Sequence, residues 1–367
     1  MALKVTYTIQ SEPQLAASDI ASAFSDLKPV AVIFFASSQY DPCNISAAMK
    51  EEFPDATVIG CSTAGEIITG KMLKNSIVAM ALESDLIEGI ASEVIDLQDG
   101  QSTTKAVTEL AAKFRSKPLD LSVDNFVGMI LIDGLSCAEE RIMSKIGDLV
   151  NITVIGGSAG DDLAFKKTWV YLDGKSYSNS AILTLIKPGC KFDIIKTQSF
   201  CGMNKKLIPT VVDENSRRVE EFNGKPAAKV YAEALGVSEA EIESQFMIHP
   251  VGLMSDDEPY VRAPHRVEGK SIYFHCQILK NIELEILSPT DIIEETRKAI
   301  VLMEKRVGPI KGLINFNCSE RTFLLNKADK CDEYGALFNH IPTIGFSTYG
   351  EEYIGHMNQT ATMLIFY

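Results

Sequence analysis

Val58-Ile59-Gly60-Cys61-Ser62-Thr63-Ala64-Gly65-Glu66 is the stretch on which the fold turns. An apolar run ends, the chain turns on Gly-x-Ser, and a further glycine and an acid close the turn. The pattern returns as Val154-Ile155-Gly156-Gly157-Ser158-Ala159-Gly160-Asp161-Asp162 and as Thr343-Ile344-Gly345-Phe346-Ser347-Thr348-Tyr349-Gly350-Glu351. Each copy follows an earlier apolar stretch of strand character, at Val30–Phe35, Phe126–Ile132 and Gly312–Phe316, with helical sequence between. One strand–helix–strand unit is thus used three times. Alternation of this kind predicts an α/β fold with mixed sheets flanked by helices. Turn N–H groups after a strand can form a nest for a polar or anionic ligand. Ser62, Gly156, Gly157, Ser158, Asp161, Ser347, Thr348, Tyr349 and Glu351 are therefore candidate ligand contacts. The turns of residues 156–162 and 345–351 are expected to approach a common cavity.

A chain of 367 residues exceeds one typical core, which suggests two domains. We expect them at residues 1–200 and 201–367, because a strand–helix–strand unit has completed at about residue 200. The hydrophobic spacing predicts helices over Glu12–Leu27, Asn44–Phe53, Thr103–Arg115, Pro226–Leu235 and Pro289–Arg306. Ser136-x-x-Glu139 reads as a capping box. Ser76–Ala81 and Glu88–Ile95 read as an antiparallel pair, and Phe246–Ile248 as a strand.

A net charge of -14 argues against nucleic acid, whose phosphates call for a basic stripe. It also argues against an anionic membrane surface. No apolar run approaches the ~20 residues that cross a bilayer, and Met1-Ala2-Leu3-Lys4 opens no secretory leader. The eight cysteines form no Cys-x-x-Cys pair, so reduced thiols in a cytoplasmic protein are expected.

Two motifs come close to catalytic signatures. Gly65-Glu66-Ile67-Ile68-Thr69-Gly70-Lys71-Met72 misses a P-loop because Met72 replaces the magnesium-binding hydroxyl. Gly156-Gly157-Ser158-Ala159-Gly160 fits the hydrolase elbow, but the elbow needs a helix after the serine and Lys167–Leu172 reads as strand. A serine hydrolase using Ser158 is the remote alternative, and no enzyme is expected. The five histidines make no zinc set. His340 and His356 lie on either side of the third turn and could flank one pocket. Arg262, Asn317 and Asn358 interrupt strand-like apolar sequence, and a buried arginine suits a ligand carboxylate or a haem propionate.

These turns, with Phe222-Asn223-Gly224-Lys225-Pro226-Ala227, Tyr231–Gly236 and Gly355-His356-Met357-Asn358-Gln359-Thr360, resemble the N- and C-terminal halves of the FIST sensory domain. The resemblance covers almost the whole chain. It implies an intracellular signal-input protein that binds a small ligand, with amino acids proposed for the family. Its partner would be a histidine kinase, a cyclic-di-GMP enzyme or a chemotaxis receptor. One bacterial branch of similar layout binds haem b and senses nitric oxide. In that case His340 or His356 would ligate the iron, with His340 favoured for its place between Phe338 and Ile341. A free amino acid without haem is the alternative.

Overall fold

The structure is a computed structural model and describes residues 2–255 and 258–367. It forms two compact units, the first made of Met1–Lys196, Thr296–His356 and Ala361–Tyr367, the second of Thr197–Glu295 and Met357–Thr360. The third repeat lies beyond residue 296, yet it folds with the other two.

The first unit contains three six-stranded sheets built to one plan. A parallel pair lies at the centre of each: Ala31–Ser37 with Thr57–Thr63, Val127–Ile132 with Thr153–Ser158, and Gly312–Cys318 with Thr343–Thr348. An antiparallel strand flanks the first member of each pair, at Ile77–Leu82, Ser180–Pro188 and Thr360–Phe366. Outside these lie Leu3–Thr8, Ile87–Asp96 and Phe192–Gln198. A short hairpin completes the opposite edge, and it comes from another repeat. The hairpin after the first turn, Glu66–Ile68 and Lys71–Leu73, joins the third sheet. The one following the second turn, Val170–Leu172 and Lys175–Tyr177, joins the first sheet. After the third turn, Glu351–Tyr353 and Gly355–Met357 join the second sheet. The exchange is cyclic and closes on itself.

Strand alternation sorts the side chains into layers. Phe35, Ile59, Cys61, Ile155, Phe316 and Phe346 point into a core common to the three sheets, where the Phe35 and Phe346 ring centroids are 4.6 Å apart. Val32, Phe34 and Val58 face the other way, among residues of helices Pro13–Ala23 and Pro42–Glu52. Ile130, Ile132 and Val154 do the same with helices Ser102–Lys113 and Glu139–Gly147.

The second unit holds two antiparallel sheets. One has Phe200–Leu207, Leu284–Pro289, Val251–Ser255 and Glu258–Arg262, and the other Pro209–Asp213, Arg218–Phe222, Ser271–Phe274 and Pro264–Glu268. Helix Ala227–Leu235 ends at Gly236, whose φ of 75° supplies the left-handed cap.

Three local expectations are corrected. Ile77–Leu82 and Ile87–Asp96 do not pair, since they belong to different sheets. Ser136 caps no helix: its hydroxyl donates to Asp133 O at 2.6 Å, and helix Glu139–Gly147 starts after Ala138. Phe246 ends the short helix Ile242–Gln245 and opens no strand. The chain after Gly65 is a β-hairpin, so the P-loop likeness has no phosphate-binding helix behind it. The cysteines are thiols, with Cys61, Cys276 and Cys318 buried and Cys43, Cys137 and Cys201 exposed. No helix of the described residues is long and apolar enough to cross a membrane.

Candidate functional site

The three Gly-Ser turns meet in one ring of backbone hydrogen bonds. Ala64 N donates to Ser347 O at 3.2 Å, Gly160 N to Ser62 O at 3.0 Å, and Tyr349 N to Ser158 O at 3.0 Å. In each case the donor lies two residues past its own serine and the acceptor is the serine of another repeat. Return bonds run from Ser347 N to Gly65 O and from Ser158 N to Gly350 O, both 2.8 Å. The corresponding bond of Ser62 goes to Trp169 O instead, because the second repeat inserts a loop before its hairpin. The second and third turns thus meet through backbone hydrogen bonds, and the first joins them.

The repeated glycine before each serine has a structural cause. Gly60, Gly156 and Gly345 lie opposite Phe34, Ile130 and Asn315 in the parallel ladders. A Cβ would come within 2.2, 1.8 and 2.2 Å of those residues' carbonyl oxygens. Gly157 is closed as well, by Thr348 Cγ2 at 2.5 Å. These glycines permit close approach of protein to protein, so a ligand is not needed to explain them.

The acids are buried. Thr63 and Glu66 hydrogen-bond through their side chains, as do Thr348 and Glu351. The Ser-Thr-x-Gly-Glu sequence thus makes the same contact twice, and Ala159 lacks the hydroxyl for a third. Glu66 also accepts from Ser76 N at 3.1 Å and Ser76 Oγ at 2.6 Å. Burial pushes the Glu66 carboxyl up to about 7, against these hydrogen bonds.

Ser158 is fully buried between two carboxyls, with its Oγ 3.2 Å from Glu139 Oε1 and 3.1 Å from Glu352 Oε1. A hydroxyl has one proton to donate, so one carboxyl must bring a proton of its own. Glu352 is the holder: burial, with the charge of Glu139 adding, raises it to about 7. The same oxygen, Glu352 Oε1, is 3.5 Å from His356 Nδ1. Burial works against charge on this imidazole, but the hydrogen bond to Glu352 and the field of Glu139 and Glu140 raise its affinity for protons. The order is serine–carboxyl–imidazole, so the Ser158 hydroxyl does not meet the imidazole of a serine–histidine pair. Ser62 Oγ donates to Gly160 O at 2.8 Å and Ser347 Oγ lies 2.7 Å from Thr322 Oγ1. None of the three serines touches a histidine.

Asp161 organises the loop inserted after Ser158. It accepts from Phe165 N, Lys166 N and Lys167 N at 2.9, 2.6 and 2.9 Å, and from the Tyr349 hydroxyl. That hydroxyl in turn accepts from Asp161 N at 3.2 Å and Leu163 N at 2.9 Å. Burial, together with Asp161, raises the Tyr349 phenol and keeps it protonated. Asp161 and Tyr349 are thus fastened to each other across two repeats.

Asn317 belongs to a polar layer behind the third sheet. Its Nδ2 donates to Thr322 Oγ1 at 2.9 Å, and its Oδ1 accepts from Arg321 Nε at 3.0 Å and Tyr334 Oη at 3.1 Å. Arg321 is completely buried and also donates from Nη2 to Thr296 Oγ1 at 3.0 Å. Asn315 Nδ2 donates to Tyr334 Oη at 3.3 Å.

Arg262 and Asn358 fall in the second unit. Arg262 Nη1 donates to Val261 O at 3.3 Å, and Asn358 Oδ1 accepts from Ala263 N at 3.4 Å. His340 is elsewhere in the first unit: its side chain is 59% exposed and its Nε2 is 2.8 Å from Glu304 Oε1. The two candidate histidines therefore have different surroundings and do not flank one pocket. Neither suits haem b. His340 faces solvent with its Nε2 engaged, and the His356 ring lies against Gly350, 2.0 Å from where a Cβ would be. Among the described residues no cluster of three or more His, Cys, Asp or Glu could hold a metal.

Sequence reasoning missed Arg321, Thr322 and Tyr334, and it named Glu352 only as a partner for a neighbouring histidine. Arg321 left a trace: a cation in the first turn of helix Ser319–Lys327 opposes the helix dipole. Glu139 was hidden behind a capping role.

Comparison with known proteins fits this geometry. Residues 30–225 match the FIST N domain and residues 227–353 the FIST C domain. An uncharacterized protein of Methanocaldococcus jannaschii is 25% identical over 296 residues, which are 76% of this chain and 57% of that protein. The chain thus spans a little over half the length of this relative.

Proposed function

Because the chain belongs to the FIST family, whose domains serve small-ligand sensing and signalling, we propose that it is a non-enzymatic signal-input protein that binds a small polar ligand and passes the result to a partner protein. The observation that carries this reading is the state of the three serines. Their hydroxyls meet a carbonyl, two carboxyls and a threonine, and no imidazole. Such a ring couples three repeats to one another, and it lacks the imidazole of a serine–histidine pair. Beside it are buried acids poised near neutrality, Glu66 and Glu352, and such groups concentrate at functional sites.

A free amino acid or related metabolite suits this polar interior better than haem with nitric oxide, given where His340 and His356 lie. A histidine kinase or a cyclic-di-GMP enzyme is the partner class that the family implies. The test is a thermal-shift panel of amino acids, organic acids and haem on the whole chain, run beside an active-serine probe. A saturable rise in Tm with a small polar compound and no labelling of Ser158 is expected. Labelling of Ser158, or a Soret band after haem reconstitution, overturns the reading.

A further inference from the structure

Arg321 is a buried cation without an anion. None of its side chain is exposed, and no carboxylate pairs with it among the described residues. Its Nε and Nη2 are engaged by Asn317 and Thr296, both neutral groups, whereas Nη1 has no hydrogen-bond partner. Arginine does not shed its proton in a protein. The lysine solution of losing the charge on burial is therefore closed to it, and a desolvated charge is costly unless paired.

Its position sharpens the problem. Arg321 lies in the first turn of the nine-residue helix Ser319–Lys327. The guanidinium folds back to Asn317, ahead of the helix start. It thus sits at the positive end of the helix dipole, where a second positive charge is unfavourable and an anion is favoured. Cys318 at the N-cap supplies no side-chain cap. In the same network Asn315 Oδ1 is a buried acceptor with no donor, while its Nδ2 reaches Tyr334 and through it Asn317.

We infer that Arg321 and the start of helix Ser319–Lys327 form a binding site for a small monoanionic carboxylate, with Arg321 Nη1 as the contact and Asn317 and Thr296 as the groups that aim it. Charge matching selects the class: one cation pairs with one carboxylate, whereas a phosphate dianion would bury an excess negative charge. Asn315 Oδ1 further favours a ligand bearing an N–H or O–H. The inference deepens the ligand-binding reading above by naming a ligand class, and its test separates the two.

Acetate and lactate are titrated into the whole chain and followed by calorimetry and by Tm, with chloride and inorganic phosphate at equal ionic strength as the other arms. Saturable binding of the carboxylates alone is expected. Arg321→Met should weaken it by about tenfold or more, with a basal Tm equal to or above wild type because an unpaired buried charge is gone. Asn317→Asp places a carboxylate directly on Arg321 Nε, and Thr322 can rotate to donate to it. This variant should raise the basal Tm and suppress acetate binding to the same extent. Should Arg321→Met fail to fold, Asn317→Asp decides alone. Phosphate binding in place of carboxylate overturns the assignment, as does carboxylate binding that Asn317→Asp leaves intact. A chain that responds to an uncharged metabolite but to no carboxylate refutes this site and leaves the sensor reading standing.

Discussion

Replacing Glu66 by Gln should stabilise the protein above pH 7 and flatten its pH response. Glu66 lies in the first turn, 1% exposed, and burial moves its carboxyl from an ordinary 4.5 to about 7. Between those values the folded chain holds a proton at Glu66 that the unfolded chain has released. Stability therefore falls as pH rises through that window, and the loss is complete above it. At about 1.4 kcal/mol per pH unit, the ionised side chain costs the fold about 3 kcal/mol at pH 8. Glutamine imitates the protonated acid at both oxygens. Its Nε2 can donate to Thr63 Oγ1, which is 3.3 Å from Ala36 O as its own acceptor, and its Oε1 can accept from Ser76 N and Oγ. The substitution thus removes the charge and keeps the network. The assay is Tm against pH from 5 to 8.5 for both proteins. Glu66→Gln should match wild type near pH 5 and exceed it by roughly 4–6 °C at pH 8. Glu352 contributes to the slope of both curves, so the difference between them isolates Glu66. Parallel curves, or a variant less stable at pH 8, would refute a buried carboxyl held neutral in this turn.

Gly156→Ala drives a Cβ to 1.8 Å from Ile130 O within a fully paired ladder, and it should cost about 3 kcal/mol or more in urea unfolding; a loss under about 1 kcal/mol would mean the strands separate easily. Tyr349→Phe removes the hydroxyl that Asp161 N, Leu163 N and the Asp161 carboxylate share. It should cost about 1–3 kcal/mol and speed amide exchange over residues 161–168, with unchanged exchange there counting against the cross-repeat fastening. His340→Ala deletes a surface pair to Glu304 and should shift stability by less than about 1 kcal/mol, leaving any haem spectrum of the reconstituted protein as it was; loss of a Soret band would restore His340 as an iron ligand.

Legibility in the sequence followed the physics of each feature. The threefold strand–helix–strand repeat could be read because fully buried strands are continuous apolar runs, as Val30–Phe35 and Phe126–Ile132 are. The turns were readable too, since Gly60, Gly156 and Gly345 answer a local clash with the neighbouring strand. What escaped was long-range. The hairpin strands Glu66–Ile68, Val170–Leu172 and Glu351–Tyr353 are three residues each. Segments so short carry no periodicity, and nothing in them states that they join the sheet of another repeat. The same limit explains the site. Asp161, Asn317, Ser347 and Tyr349 were found because they lie in or beside the repeated motif. Glu139, Arg321 and Tyr334 come from helices whose contacts are set by packing, and their residue types alone read as solvated surface. His340 misled for a related reason. Its neighbours Phe338 and Ile341 are buried, but a helix end lets alternate residues face opposite ways, and His340 faces out.

The cyclic exchange of hairpins bears on how such a protein could signal. Each sheet is completed by a strand pair from another repeat, and each turn serine accepts a backbone hydrogen bond from the next. A change at one turn therefore cannot stay local, since the residues that follow its serine are edge strands of a different sheet. Moving the third turn displaces Glu351–Tyr353 along Thr153–Ser158 and with it Glu352 beside Ser158. The helix that carries Arg321 touches the same turn through Thr322 and Ser347. An anion at Arg321 would thus act on Thr322, Ser347 and the third turn, and through Glu352 on the second repeat. This is a contiguous hydrogen-bonded route of the kind that coupling requires. It becomes a signal only if the ring has two arrangements with different affinities for the ligand. The proton that Glu352 holds beside Ser158 is the place where two such arrangements would differ in charge.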